Sequence, residues 1–107
     1  MKENVLKEKS YSFALEIIKA YRLLSERQRE FVLSKQLLRA GTSIGANIEE
    51  ADGAQSKRDF LHKVSISFKE AKESRYWLRL LKDSNLLEAV YADVLLSKLD
   101  ELLKIMT

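Results

Sequence analysis

The chain has 107 residues with no cysteine, no proline and three glycines. That length makes one domain over residues 1–107, able to bury on the order of 65% of its unfolded surface, and the lack of cysteine excludes disulfide frameworks and thiolate metal sites. With 33% charged and 46% hydrophobic residues, a net charge of +3 and charges interleaved rather than blocked, the composition reads as long, solvated helices joined by short turns, mildly basic but not a polycation.

Met1–Ser10 alternates charges and holds no apolar run of signal-peptide length. No stretch approaches the roughly 20 apolar residues of a membrane span. A cytoplasmic location is the expectation.

Four helices are predicted. The first runs from about Val5 to Ser25, with Leu6, Ser10, Phe13, Ile17, Tyr21 and Leu24 recurring at three- and four-residue steps. After the short polar connection Glu26–Glu30, the second runs from about Gln28 to Ala54 on a stripe of Leu33, Leu37, Gly41, Ile44, Ile48 and Ala51, and Asp52-Gly53 punctuates its end. The third starts near Ser56, where Ser56 and Asp59 resemble a capping box. Its stripe is Phe60, Val64, Ser67, Ala71 and Leu78, flanked by Leu61 and Phe68, and it stops in the cluster Lys82–Asn85. The fourth runs from about Leu87 to Ile105, with a wide apolar face of Leu87, Tyr91, Val94, Leu95, Leu99, Leu102 and Met106. Connections this short place successive helices antiparallel, so the expected fold is all-α, an up-down-up-down antiparallel four-helix bundle. Ile44, Ile48, Phe60, Val64 and Tyr91 are expected in its core.

The second helix carries the clearest signal. Gly41 and Gly45 lie four residues apart inside it. Each costs about 1 kcal/mol against alanine in a helix interior, which points to close packing of another backbone. Arg39, Ser43 and Glu50 fall opposite the core stripe, with Asn47 at its edge. On the third helix Ile66, Glu70, Glu73, Trp77 and Leu80 form a second row off the core stripe. A tryptophan with two aliphatic residues on such a row is the composition of an interface centre. These nine residues are the expected oligomer interface, with Arg39 a candidate to pair with an acid of another subunit. The plainer reading keeps Trp77 on a helix edge within the bundle and the charges solvated.

Little in the sequence points to catalysis. His62 is the only histidine, a poor metal site alone. Glu49-Glu50 and Glu70 with Glu73 supply carboxylates, but no Glu-x-x-His pair of the di-iron bundles occurs. Gly41–Gly45 follows no strand and lacks the lysine of a phosphate loop. No catalytic residue, metal ligand or cofactor is assigned. Lys57, Arg58 and Lys63 cluster at the start of the third helix and are the candidate nucleic-acid contacts; Arg27, Arg29, Lys35 and Arg39 form a second basic group. Neither group is interleaved with exposed aromatics of the kind that stack bases.

With these residues in place, the chain resembles the four helix bundle proteins of the 23S ribosomal RNA intervening sequence. That family shows Arg, then Ser-Ile, then Asn-Ile-x-Glu on its second helix, here Arg39, Ser43-Ile44 and Asn47-Ile48-Glu49-Glu50. A Ser-x-x-Asp-Phe helix start follows, here Ser56 and Asp59-Phe60, then Ser67 with Glu70, leading into Tyr76-Trp77-Leu78. Ala51 stands where many members have glycine, which favours a helix continuing past Glu50. The resemblance implies a bacterial bundle that assembles as a homopentamer. It extends to the accessory proteins of diversity-generating retroelements, which engage a reverse transcriptase and nucleic acid through a basic surface. The expected function is a non-enzymatic, oligomeric scaffold or accessory protein associated with RNA. Two rivals stay open, a protein–protein adaptor without nucleic acid and a small ligand- or metal-binding bundle enzyme. Core polarity separates the enzyme from the others, since it needs several inward carboxylates or histidines.

Overall fold

In a computed structural model, which describes residues 2–107 and the side chains from Asn4 onward, the chain forms helices α1 Lys2–Arg22, α2 Leu33–Asp52, α3 Lys57–Asp83 and α4 Ala89–Met106. A π-helical turn, Leu23–Arg27, extends α1. The rod measures 44 × 21 × 18 Å. Each helix packs on the next, and α4 closes against α1.

Ion pairs across the seams give the directions. Lys7, early in α1, reaches Asp52 at the end of α2 at 3.0 Å. Lys63, early in α3, reaches Glu50, late in α2, at 2.7 Å. Lys82, at the end of α3, reaches Asp93, early in α4, at 2.7 Å. Lys9 of α1 meets Glu101 of α4 at 3.1 Å. Every neighbouring pair is antiparallel, as the short connections dictate. No described helix is long and apolar enough to cross a membrane.

The helix ends explain where the expected boundaries hold. Ser56 caps α3, its Oγ accepting from the Asp59 N–H at 3.0 Å. α3 ends in a Schellman motif: Asn85 takes a left-handed φ of 63°, its N–H bonds the Lys82 carbonyl, and the Leu86 N–H bonds the Leu81 carbonyl. α2 starts five residues later than expected, at Leu33 rather than Gln28. Arg29 sits at φ 56°, which interrupts any continuous helix. The Glu30 carboxylate accepts from the N–H groups of Val32, Leu33 and Ser34 at 3.1, 3.0 and 2.7 Å. A side chain ahead of the helix thus takes up three of the donors that its first turn leaves orphaned.

The core follows the periodic stripes. Phe13, Ile17, Leu37, Ile44, Leu78, Leu95, Leu99 and Leu102 are fully buried. Phe60, Val64 and Tyr91, expected in the core, are only half-buried. Phe60 and Val64 lie in the first turns of α3, at the end of the rod, where fewer neighbours cover them. Val94, expected on the apolar face of α4, is 47% exposed because Ala92, Leu95 and Leu99 take the inward positions.

Gly41 is closely packed, though against a side chain rather than the expected backbone. A Cβ there would stand 2.8 Å from Cγ1 and 2.9 Å from Cγ2 of Ile17 on α1. Gly45 is looser, since its added Cβ would meet the Ser10 carbonyl oxygen at 3.4 Å. The close approach is between α1 and α2, on the side of α2 away from α3.

Candidate interaction face on α2 and α3

Along the α2–α3 seam the sequence-predicted interface residues sort into two groups. Arg39, Glu70, Glu73 and Trp77 form one connected network. Arg39 Nη1 lies 3.2 Å from Glu70 Oε1, its Nη2 pairs with Glu73 Oε2, and the Trp77 indole N–H donates to the same Glu73 oxygen at 2.9 Å. Arg39, a candidate for pairing between subunits, is therefore occupied within its own chain. Glu50 is held by Lys63, whose ammonium pKa is pushed up by the hydrogen bond and charge of that carboxylate.

Ser43 and Asn47 do not join this network. The Ser43 hydroxyl donates to the Arg39 carbonyl at 2.7 Å, and Asn47 Nδ2 donates to the Ser43 carbonyl at 2.8 Å. Both side chains satisfy α2's own backbone. Ile66 and Leu80 are half-buried beside the network, and Trp77 packs partly against the hydrophobic core. The polar tie from α3 to α2 inside the core is Ser67, whose Oγ donates to the Ile44 carbonyl at 2.9 Å.

The three candidate phosphate contacts divide. Lys57 and Arg58 are exposed, whereas Lys63 is engaged by Glu50. His62 is exposed. The buried polar residues are Ser10, Ser34, Ser67 and Ser74, so no carboxylate or imidazole is fully buried among the described residues. No cluster of three His, Cys, Asp or Glu side chains suited to a metal occurs among them. Sequence reasoning missed two things. The Glu30 cap acts from outside the periodic pattern. Tyr76, read only as part of a motif with Trp77, projects outward and is 51% exposed.

A family model described as the 23S rRNA-intervening sequence protein matches residues 2–107. The chain belongs to this family. It is also similar to a protein of unknown function from the S23 ribosomal protein family of Bacteroides thetaiotaomicron, known from a crystal structure. The two share 46% identity and a TM-score of 0.97, over 99% of this chain and 95% of that one. No curated protein matches the chain. Membership of the 23S rRNA-intervening sequence family fits the bundle and leaves the role of its surfaces to be argued from their chemistry.

Proposed function

We propose that this chain is a non-enzymatic scaffold that self-assembles through the α2–α3 face, as a homopentamer, and associates with RNA in the bacterial cytoplasm. The observation that carries the self-assembly reading is Trp77. It is a large aromatic left half-buried on the same row of α3 as Ile66 and Leu80, with its indole N–H already bonded to Glu73. Apolar groups with a ring of satisfied charges around them match the make-up of an interface centre and rim. The ion pairs along the seam are exposed and pairs of this kind add little to a fold, so their arrangement fits positioning better than stability.

Family membership and a basic surface support the RNA reading. Light scattering of the purified protein tests the assembly: an oligomer that Trp77→Lys dissociates, with helicity retained, supports the reading, and a monomeric wild type contradicts it.

A further inference from the structure

The net charge of the chain resides in α3. Residues 57–83 hold eight Lys and Arg against four Asp and Glu, a net charge of +4, while the rest of the chain holds eleven against twelve, a net of −1. Three of the eight cations are spent on neighbouring helices: Lys63 on Glu50, Arg75 on Asp100 and Lys82 on Asp93. Lys57, Arg58, Lys69, Lys72 and Arg79 pair with no carboxylate among the described residues.

Four of those unpaired cations share a face. At 3.6 residues per turn, Arg58, Lys69, Lys72 and Arg79 fall within a sector of about 80°. All four are exposed. The row extends about 31 Å along the helix at 1.5 Å per residue. Tyr76 lies within the same sector, 51% exposed. The Lys72 ammonium stands 5.8 Å from the centroid of the Phe68 ring, at the edge of the row. Glu70 and Glu73, the acids in the middle of α3, are turned toward α2 and held by Arg39. Asp83 enters the sector only at its far end.

We infer that the outer face of α3 is a track for unpaired RNA, with Arg58, Lys69, Lys72 and Arg79 each on a phosphate of the strand and Tyr76 as a platform for one base. The inference rests on the RNA reading above and moves its surface from the Lys57–Lys63 cluster to a row along α3 that keeps only Arg58 of that cluster. An unpaired strand fits because its bases are free to stack on a single aromatic, whereas the deep major groove of an RNA duplex shuts side chains out. A membrane surface would ask the same helix for an apolar face to insert. Most of the apolar face of α3 is buried in the bundle, with Ala71, Leu78 and Leu81 fully covered, and Leu61 is its one aliphatic side chain more than half exposed.

The test measures binding of an unstructured fluorescent 20-nucleotide RNA by anisotropy across a salt series. The wild-type protein is compared with K69E/K72E/R79E, with the milder K69Q/K72Q/R79Q, and with the control R22E/K98E/K104E, which makes the same charge change off α3. Four neutralised phosphates give a slope of log K against log salt near about −2.8, at about −0.7 per phosphate on a single strand. Both α3 variants should weaken binding at least about ten-fold and flatten the slope toward one contact, while the control keeps the wild-type slope. Tyr76→Ala should weaken binding at least about five-fold, the low end for a stacked aromatic. If the wild type binds and the control variant loses binding while the α3 variants keep it, the α3 track is wrong and the RNA reading stands. If micromolar wild type shows no salt-sensitive RNA binding, both fall. Binding to vesicles containing phosphatidylserine in place of RNA would also overturn the track.

Discussion

Arg39 Nη1 on α2 lies 3.2 Å from Glu70 Oε1 on α3, a contact between residues 31 apart in sequence. It does two things at once. It joins α2 to the edge of α3 that carries Trp77, and with Glu73 it draws the mid-helix carboxylates of α3 away from the outward row of Lys69, Lys72 and Arg79. One arginine thereby separates an acidic, aromatic seam from a basic outer face on the same helix.

Arg39→Ala should lower the stability of the isolated bundle by no more than about 1 kcal/mol, because the pair is exposed. It should weaken self-association more, since Glu70 and Glu73 would face a partner uncompensated. Denaturant melts at low protein concentration and sedimentation at high concentration separate the two effects. A loss above 2 kcal/mol in the melt with unchanged association would place Arg39 in fold stability instead.

Ile48 is 4% exposed on the α2 stripe, in the last turns of the helix. Ile48→Ala should cost roughly 2–5 kcal/mol, the transfer term plus the cavity left behind. A urea melt showing less than about 0.5 kcal/mol would refute this packing.

The two glycines of α2 should behave differently. Gly41→Ala puts a methyl group against the fully buried, β-branched Ile17, and overpacking of this kind costs about 1–3 kcal/mol. In an Ile17→Ala background the same change should be much less damaging, a coupling that a double-mutant cycle reads directly. Gly45→Ala meets only ordinary contact distances and should be neutral or gain up to about 1 kcal/mol in helix propensity.

Glu30 supplies a pH-dependent term. Burial works to raise its carboxyl pKa, but the hydrogen bonds from the Leu33, Ser34 and Val32 N–H groups outweigh it and hold the value below the ordinary carboxylate range. The folded value is depressed, so the stabilisation is fully present above the unfolded value and is lost as pH falls through the folded one. Glu30→Ala should cost about 0.5–2 kcal/mol at neutral pH, as removal of a helix N-terminal cap does. The difference from wild type in thermal melts should shrink steadily in acid. A difference that stays constant down to the lowest pH at which the protein folds would contradict the capping role.

How far the sequence reveals this protein depends on how local each cause is. Ser56 was legible as the start of α3 because its cap bonds Asp59, three residues away. The core stripes were legible because they are periodic within single helices. The start of α2 was not, because Glu30 caps it from outside the apolar pattern and Arg29 interrupts the chain with a left-handed φ. The half-burial of Phe60 depends on its place at the end of the rod, which a helical wheel does not encode. The nine interface candidates could be placed off the core from spacing alone. Their division into a network around Arg39 and a pair of α2 backbone bonds at Ser43 and Asn47 needed the α2–α3 packing. The basic row was hidden for the same reason: Lys69 and Lys72 look like ordinary solvated charges until Glu70 and Glu73 are seen to be turned away.

The most direct measurement is the mass of the native protein by multi-angle light scattering, with wild type and Trp77→Lys run side by side and their helicity followed by circular dichroism. Assembly through the α2–α3 face predicts a wild-type particle of five 12.4 kDa chains, 62 kDa, and a Trp77→Lys species of lower mass with native helix content. A wild-type protein that remains at 12.4 kDa across the concentration range, or a Trp77→Lys variant that keeps the full oligomeric mass, would contradict it.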